Sequence, residues 1–574
     1  MAVFHQFYHL AGGDVAAINR AMIVLLPKKD GAAAITDYRP ISLIHSIAKL
    51  ISNVLSMRLA KIPGCELKLR VSLYADDAVI FINPIRQEVD TLLGILRLFG
   101  RATGLNINTG KSTASPVSCN DLDLAHVLQN FGGSIALFPI KYLGLPLVTG
   151  RLRLVHLQFI IDRIKARLAG WKKNLIHIAG RRVLVRCVLS AMPTFALTVL
   201  KVPKKILKEI DKCRRRFLWK QDEEISGASG KVSRATVCTP TENRGLGVPD
   251  LTRFGRALRL RWPWLAWRHP ERPWVGSALP CNDDDLSLFT TATSVSIGDG
   301  ATASFWHSHW MGPGTLTQQF PRLARHARRK NRTVKEALAD DNWIKDLAHG
   351  CTEHLIHDVL ALHRRLHGIA DDLHAGTPDS IRWILERTGE YSAASAYRVQ
   401  FHGMTSSVFG KIIWNDWAPG KIKMFAWLML QNRLWCNDRL QRRGWKNEYF
   451  CQLCNRNLES SKHLFWECPM AKGVWETISS WTGCASLAPA ASWRDLQHSS
   501  IAIAALDGAA PRRQKGTNTM LLLVCWEIWP ERNNATFKKT TPRASNIITR
   551  VTDCIELWRA AGASCLERPF GEPP

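Results

Sequence analysis

The most regular pattern in the chain is a short apolar hairpin interrupted by two acids. Residues 71–83, VSLYADDAVIFIN, place apolar and β-branched residues on both sides of Asp76 and Asp77. This pattern predicts a strand, a tight turn and a second strand. The two carboxylates have two interpretations. They can be ordinary turn residues, because an Asp side chain bonds the local backbone, or they can be ligands of Mg²⁺, which prefers carboxylate oxygens.

The segments on either side of the hairpin predict further strands and helices. Upstream, residues 23–60 have the pattern of an apolar strand, a glycine-containing turn and, after Pro40, a helix with one apolar face. Downstream, residues 92–112 predict an amphipathic helix that stops at Gly104 and then a short strand ending near Lys111. The N-terminal part is therefore expected to mix α and β structure.

A third pattern combines helical periodicity with charge of one sign. Residues 203–220 carry apolar residues at helical spacing, and residues 151–220 hold 19 Lys or Arg against 3 acids, a net of +16 (19 − 3). The other face of the predicted helix carries Lys204, Lys205, Lys208, Lys212, Arg214, Arg215 and Arg216. Such a face is either a solvated surface or a helix lying along a phosphate backbone. We favour the second interpretation, which predicts binding that weakens steeply with salt.

The whole composition points to a polyanionic partner. The 574 residues include 77 Lys or Arg and 48 Asp or Glu, a formal net charge of +29, and such a field attracts nucleic acid. No apolar run approaches the ~18 residues of a membrane span, and the N-terminus lacks the order of a secretory signal. We expect an intracellular protein, in the nucleus or cytoplasm, with no membrane partner. Its 22 Trp residues can serve either as core anchors or as stacking platforms for bases.

Four residues near the C-terminus have the spacing of a metal site. Cys451, Cys454, His463 and Cys468 form the pattern C-x₂-C-x₈-H-x₄-C. Zinc is held by four thiolate or imidazole ligands in a tetrahedron, and a site with four protein ligands is structural. The alternatives are four unrelated residues or a C-x-x-C redox pair, which would need a thioredoxin-like setting that the sequence does not indicate. We predict zinc.

The order of several motifs resembles the reverse transcriptases of plant non-LTR (LINE-type) retrotransposons. The motifs are LLPKKDGA…DYRPISL, LYADDAVIF, FGRATGLNINTGKS and YLGLPL, and residues 412–445 resemble the zinc-binding domain that follows these enzymes. The resemblance implies an α+β fold: incomplete right-hand polymerase fingers and palm, a basic helical thumb or connection, and a small C-terminal zinc-binding domain. The expected divisions are a fingers remnant 1–62, a palm remnant 63–150, a thumb 151–275, a mixed connection 276–404, a zinc-binding domain 405–484, a linker 485–516 and a helical tail 517–574.

The resemblance also implies roles for particular residues. Asp76 and Asp77 match the magnesium-binding pair of the palm hairpin. Lys28 and Arg39 match finger positions near the incoming nucleotide or template, and Lys111 matches the lysine that follows the hairpin. The implied reaction is RNA-directed DNA synthesis, with RNA and DNA as partners and deoxynucleoside triphosphates as the only small substrates.

One departure from the family bears on activity. In these enzymes a long segment before the hairpin carries the first palm aspartate, but here only residues 61–72 lie between the finger motif and the motif LYADDAVIF. Twelve residues span about 40 Å at most, whereas a strand, a crossover and a returning strand need about 30 residues or more. We therefore expect a vestigial magnesium site and no polymerase activity. The alternatives are an active enzyme completed by a partner or by a missed exon, and a structural protein that does not bind nucleic acid.

Overall fold

The computed structural model of the chain falls into two compact units, residues 1–151 with 271–276 and residues 152–270 with 277–574. The residues it describes are 22–27, 38–43, 71–74, 77–103, 106–119, 122–169, 175–219, 231–272, 274–347, 353–369, 373, 376–404, 408–414, 416–490 and 514–566.

The described part of the first unit consists of two-stranded sheets and two helices. Its strands are β1 (Met22–Pro27), β2 (Tyr38–Leu43), β3 (Val71–Tyr74), β4 (Asp77–Ile80), β5 (Thr113–Ala114), β6 (Ser134–Ile135), β7 (Ile140–Tyr142) and β8 (Leu145–Leu147), and its helices are α1 (Arg86–Thr103) and α2 (Leu124–Val127). The pairs β1–β2, β3–β4 and β7–β8 are antiparallel, and β5–β6 is parallel.

The hairpin prediction is confirmed. The predicted helix does not begin directly after Pro40, and the rest of that prediction, residues 44–60, lies outside the described residues. Strands β3 and β4 pair with Tyr74 opposite Asp77, so Asp77 is the first residue of the second strand. Residues 38–43 form a strand instead, with Pro40 opposite Leu25. Proline cannot donate to a sheet ladder, but the edge of a two-stranded ribbon tolerates it. Helix α1 ends at Thr103, directly before the predicted stop.

The second unit is mostly helical. Its helices are α3 (Gln158–Ala169), α4 (Ile178–Leu184), α5 (Thr194–Val199), α6 (Lys204–Trp219), α7 (Arg234–Cys238), α8 (Leu251–Arg259), α9 (Arg261–Arg268), α10 (Asp283–Thr291), α11 (Leu316–Gln319), α12 (Pro321–His326), α13 (Val334–Leu338), α14 (Asn342–Lys345), α15 (Glu353–Leu366), α16 (Ala393–Arg398), α17 (Val408–Trp414), α18 (Gly420–Leu430), α19 (Asn437–Gln441), α20 (Pro469–Thr482), α21 (Gln514–Lys538) and α22 (Ala544–Ala560). Strands β9 (Thr293–Ser296) and β10 (Ser380–Trp383) pair antiparallel.

Tryptophans form much of the core between these helices. Trp383 is fully buried, packs edge-on against Trp264, and donates its indole N–H to Ser395 at 2.9 Å. Trp306 and Trp343 are buried in a neighbouring cluster formed by α11 to α15. Each of these rings buries a large apolar area in a packed interior, so they serve the core interpretation and not base stacking.

Helix α21 runs through Pro530, where the sequence predicts a break. Proline removes one backbone hydrogen bond and costs a helix interior about 3 kcal/mol or more. Here the helix is enclosed by α18 and α22, and residues 516–525 are buried without interruption. The burial of so many side chains offsets the local cost. Within the described ranges no helix combines the length and the hydropathy that a membrane crossing requires.

Candidate zinc centre and nucleic-acid surfaces

The four predicted metal ligands lie together in the second unit. The ligand atoms of Cys451, Cys454, His463 and Cys468 are all within 4.8 Å of one another. Cys451 and Cys468 are fully buried and His463 is almost so, while Cys454 is partly exposed. We call residues 451–468 the knuckle.

A tight turn brings the first two cysteines to the same side of the knuckle. The N–H of Cys451 donates to Asn457 at 2.8 Å, and the N–H of Asn455 returns to the carbonyl of Cys451 at 2.7 Å. Asn455 takes a left-handed conformation with φ of 51°, which asparagine adopts more readily than most residues. The reversal points both thiols of the C-x₂-C pair inward.

The other two ligands come from the end of the knuckle. His463 is the first residue of a π-helical turn, His463–Glu467. The N–H of Cys468 closes this turn by donating to the His463 carbonyl at 2.7 Å. Cys468 is the N-cap of α20, and Pro469 occupies the first helical position, where a missing N–H costs nothing. The stacked pair Trp466 and Trp475, 5.4 Å between centroids, fixes this turn against α20.

The electrostatics of the cluster suit a metal that binds thiolates. A hydrogen bond between the two thiols raises the pKa of Cys451 and lowers the pKa of Cys468. Burial lowers the pKa of His463, but hydrogen bonds with Cys451 and Cys454 outweigh it and the pKa is raised overall. Cys451, His463 and Cys468 therefore share protons in a confined space, and a divalent cation can replace those protons.

The spacing of the ligand atoms is close to that of a zinc tetrahedron. Zn–S bonds of about 2.3 Å and Zn–N bonds of about 2.0–2.1 Å place neighbouring ligand atoms about 3.6–3.8 Å apart in a tetrahedron. His463 Nε2 lies 3.3 Å from Cys454 Sγ, so the imidazole presents this nitrogen to the cluster. Three sulfurs and one nitrogen would fill the coordination sphere, which is the donor set of a structural site.

Sequence reasoning missed the pair of charges that braces the knuckle. Glu459, between the second and third ligands, is fully buried and pairs with Arg532 of α21 at 2.6 Å. The same carboxylate accepts the backbone N–H of Asn437 at 3.0 Å. The available signal was the unusual position of a glutamate inside a metal loop and of an arginine inside an apolar helix.

The basic face of α6 is present with one correction. Ile206, Leu207, Ile210, Cys213, Phe217 and Leu218 are buried, as the periodicity predicts. On the opposite side the exposed residues are Lys204, Lys205, Lys208, Lys212 and Arg216, with Arg215 partly exposed.

Arg214 does not belong to that exposed face. Its side chain is 3% exposed, pairs with Asp211 at 2.7 Å and donates to the carbonyl of Pro249 at 2.7 Å. The residue falls on the border between the apolar and basic faces, where a buried aspartate three residues earlier draws it inward. A contact between Arg214 and phosphate is therefore not available in this fold.

The predicted polymerase residues are only partly described. Asp77 is exposed at the start of β4, and Lys111 is exposed at the end of a 3₁₀ turn, Thr109–Lys111. Arg39 lies on β2. Asp76 and Lys28 lie outside the described residues, so the proposed magnesium pair stays a prediction.

Comparison with known proteins adds to this geometry. Residues 391–475 match the family described as zinc-binding in reverse transcriptase. All four clustered residues fall inside the match. This segment is similar to the zinc-binding part of reverse transcriptases, and the similarity supports both a zinc site and a chain related to retrotransposon reverse transcriptases.

A longer but weaker similarity extends beyond that segment. A protein of Arabidopsis thaliana, whose name describes it provisionally as a ribonuclease H protein, is 24% identical over 348 residues. The alignment covers 56% of this chain and 55% of that protein. The chain therefore spans about half the length of this curated relative.

Proposed function

We propose that this chain is a protein derived from a plant non-LTR (LINE-type) retrotransposon reverse transcriptase that binds structural zinc and nucleic acid and does not polymerise DNA on its own. The observation that carries the proposal is the Cys₃His cluster inside the segment that matches the zinc-binding family of reverse transcriptases. The magnesium role of Asp76 and Asp77 is vestigial in this proposal.

Metal analysis of the purified chain tests the zinc site. One zinc per chain is expected in the wild-type protein and close to none in Cys454→Ser. Cys484→Ser is the matched control, because Cys484 is also buried but lies outside the cluster. Equal zinc in Cys454→Ser and in the wild-type protein would refute the proposed ligand set.

Binding to nucleic acid is proposed from the charge and placement of α6. Five exposed cations lie on one face, and among the described residues only Lys212 of these five has an acidic partner, Glu209 at 2.7 Å. Cations without acidic partners are free to neutralise phosphates and to release counterions. Titration of a labelled RNA or DNA oligonucleotide at several salt concentrations tests this proposal. An affinity that does not change with salt would refute the proposed phosphate contacts.

The absence of polymerase activity is proposed from the count of metal ligands. Two magnesium ions about 3.5–4 Å apart are needed to hold the attacking and leaving oxygens, and the twelve residues before the hairpin cannot carry the strand that bears a third carboxylate. Primer extension on an RNA template tests this with Asp76→Ala as the control. Incorporation by the 574-residue chain that disappears in Asp76→Ala would overturn the proposal.

The active-enzyme alternative has its own test. Genomic DNA between the codons of Arg58 and Leu73 would, under that alternative, contain an open frame encoding a further strand with an aspartate. Finding that frame would favour a working RNA-directed DNA polymerase. A chain that contains zinc but binds no oligonucleotide at any salt concentration would instead favour a structural protein.

A further inference from the structure

A small cavity lined by cations and tryptophans lies in the second unit. Its volume is about 270 Å³, just below the ~300–1,000 Å³ of sites for drug-sized ligands. The side chains that give it chemical character are His177, Lys231, Lys421, Trp435, Trp526 and Trp529. The rest of its described lining is apolar, and none of the described lining residues is an Asp or Glu. We call it the aromatic cavity.

The cations in and near the aromatic cavity have few acidic or hydrogen-bonding partners among the described residues. Lys231 is partly buried, and no described residue bonds or pairs with its ammonium. Two arginines outside the lining add to this charge: Nε and Nη1 of Arg181 and Nη1 of Arg439 are buried and have no hydrogen-bond acceptor among the described residues. Burial, followed by the charges of Arg439 and Arg181, lowers the pKa of Lys231. Arg439 also lies against Trp435, which lines the cavity. Buried charged donors without acceptors are costly, so this cluster points to an anionic ligand.

The tryptophans provide flat faces beside those cations. Trp435 is tilted by 32° against Trp445 with 5.1 Å between centroids, and Trp445 is 52% exposed. Arg439 lies 4.5 Å from the Trp435 centroid, and Lys421 lies 5.7 Å from that of Trp526. Aromatic rings interleaved with cations are the means by which proteins hold unpaired bases and their phosphates together.

We propose that the aromatic cavity binds one nucleotide of a single-stranded nucleic acid, with its phosphate at the lining cations Lys231 and Lys421 and its base against Trp435. The volume limits the occupant to about one nucleotide, and a duplex would keep its bases stacked inside the helix, away from the rings. The exposed ring of Trp445 offers a second stacking face on which the strand continues outward. The site rests on the proposed nucleic-acid binding. It adds where on the chain the nucleic acid binds and that the bound nucleic acid is single-stranded.

The adjoining elements agree with a strand path. Helix α4, which begins after His177 and carries Arg181, packs against both α6 and α18. Lys421 is on α18 and the basic residues are on α6, so one body carries the cavity and the longer basic face. The cavity would bind a base and so require an unpaired nucleotide, while α6 would supply sequence-independent phosphate contacts.

Anisotropy titrations of the full chain test the site with three probes: labelled (dT)₁₂, a 12-mer of the same charge without bases, and unlabelled dTTP as competitor. The variants are Lys231→Gln and Trp435→Leu. Lys345→Gln is the matched control, because Lys345 is exposed on α14, among residues of a different core cluster. Zinc content and the melting temperature are measured for each protein to verify its fold.

Each variant has a distinct expected result. Trp435→Leu should weaken (dT)₁₂ binding between about fivefold and about 150-fold, which corresponds to the loss of one stacked base, and should leave the abasic strand almost unchanged. Lys231→Gln should weaken both strands alike and reduce the salt slope by about 1. Lys345→Gln should match the wild type, and dTTP should not displace the strand.

The outcomes separate this site from the broader proposal. If both variants bind (dT)₁₂ like the wild type, the cavity is not the site, although nucleic-acid binding itself stands. If the wild-type chain binds neither strand, the proposed function fails and the site with it. Displacement by dTTP would replace the strand site with one for free nucleotides and so overturn the proposal.

Photocrosslinking keeps the proposal testable if a variant does not fold. Wild-type protein irradiated with (dT)₁₂ that carries 4-thiothymidine should yield adducts on peptides that contain Trp435 or Trp526. Adducts found only on peptides outside the cavity would overturn the assignment.

Discussion

Arg532 donates hydrogen bonds to the carboxylate of Glu459 in the interior of the second unit, although the two residues are 73 positions apart in the chain. Its Nη2 lies 2.6 Å from Oε1, and its Nε lies 3.0 Å from Oε2. The side chains are 3% and 0% exposed. Arg532 also donates to the Asn437 side chain at 3.0 Å. The knuckle is therefore held by α21, which follows it in sequence, as well as by its own turn.

Removing the arginine should destabilise the protein strongly. Arg532→Met leaves Glu459 buried without its cation, and breaking such a pair costs about 3–5 kcal/mol. The midpoint of urea unfolding, followed by tryptophan fluorescence, measures this. The double variant Glu459→Met with Arg532→Met should lose less stability than Arg532→Met, because two apolar groups can replace a buried pair at little cost.

A surface pair provides the comparison for that experiment. Lys539 pairs with Glu448, but the two side chains are 66% and 48% exposed. Exposed pairs contribute about 0–1 kcal/mol, so Lys539→Met should shift the midpoint only slightly. A loss of equal size in the two single variants would contradict the role of burial.

Removing the metal should loosen the knuckle before the rest of the unit. Metal binding to a structural site contributes to folding free energy, and without it the segment keeps its turn, the Trp466–Trp475 stack and the Arg532–Glu459 pair. Limited proteolysis after chelation should cut within residues 451–468, whereas the cluster that contains Trp306 and Trp343 resists. Simultaneous cleavage of both regions would show that zinc supports the whole unit. Added zinc should restore resistance in the wild-type protein and not in Cys454→Ser.

The two kinds of basic residue on α6 should respond differently to substitution. Changing Lys204, Lys205 and Lys208 together to Gln should reduce the salt slope of oligonucleotide binding by about 3, about 1 for each phosphate contact, without altering the melting temperature. Arg214→Gln should instead destabilise the fold by about 3 kcal/mol, at the lower end for a broken buried pair, because Asp211 keeps its contact with Arg234 at 2.5 Å. A lower melting temperature for the lysine variant would show that those side chains stabilise the fold and are not free surface residues.

Asp379 should make stability depend on acid pH. Its two oxygens accept the N–H groups of Gly298, Gly300, Thr302 and Ala303 at 2.7–3.0 Å. Burial raises the pKa of Asp379, but these four donors outweigh it and the pKa is lowered overall. The stabilisation is thus present above the unfolded pKa of about 4 and is lost as the pH falls through the lower, folded pKa.

The variant Asp379→Asn tests this loop. An amide turns a donor towards two of the four N–H groups, and each unpaired amide costs about 1–3 kcal/mol, so the loss at pH 7 should be at least about 2 kcal/mol. The loss relative to the wild type should shrink as the pH is lowered towards 3. Asp299→Asn is the control in the same loop, because Asp299 accepts a single local N–H, from Ala301, at 3.0 Å. A difference between Asp379→Asn and the wild type that is the same at pH 3 and pH 7 would contradict the assignment.

Local patterns predicted the elements that depend on neighbours in sequence. The hairpin around Asp77 and the apolar face of α6 follow from periodicity alone, because alternation and helical spacing express which side of an element is buried. The failures lie where packing overrode a local preference. Pro40 sits on a ribbon edge, Pro530 lies inside a helix enclosed by others, and Arg214 turns inward to a buried aspartate.

The sequence by itself determined the identity and spacing of the four metal ligands, because a C-x₂-C turn and a His and Cys soon after it lie within the reach of a short loop. It also determined the excess of positive charge. Only the tertiary structure decided which cations remain available. Burial and pairing depend on residues far apart in the chain, so the fold alone joins Arg532 to Glu459, removes Arg214 from the surface, and gathers Lys231, Lys421 and Trp435 around one cavity.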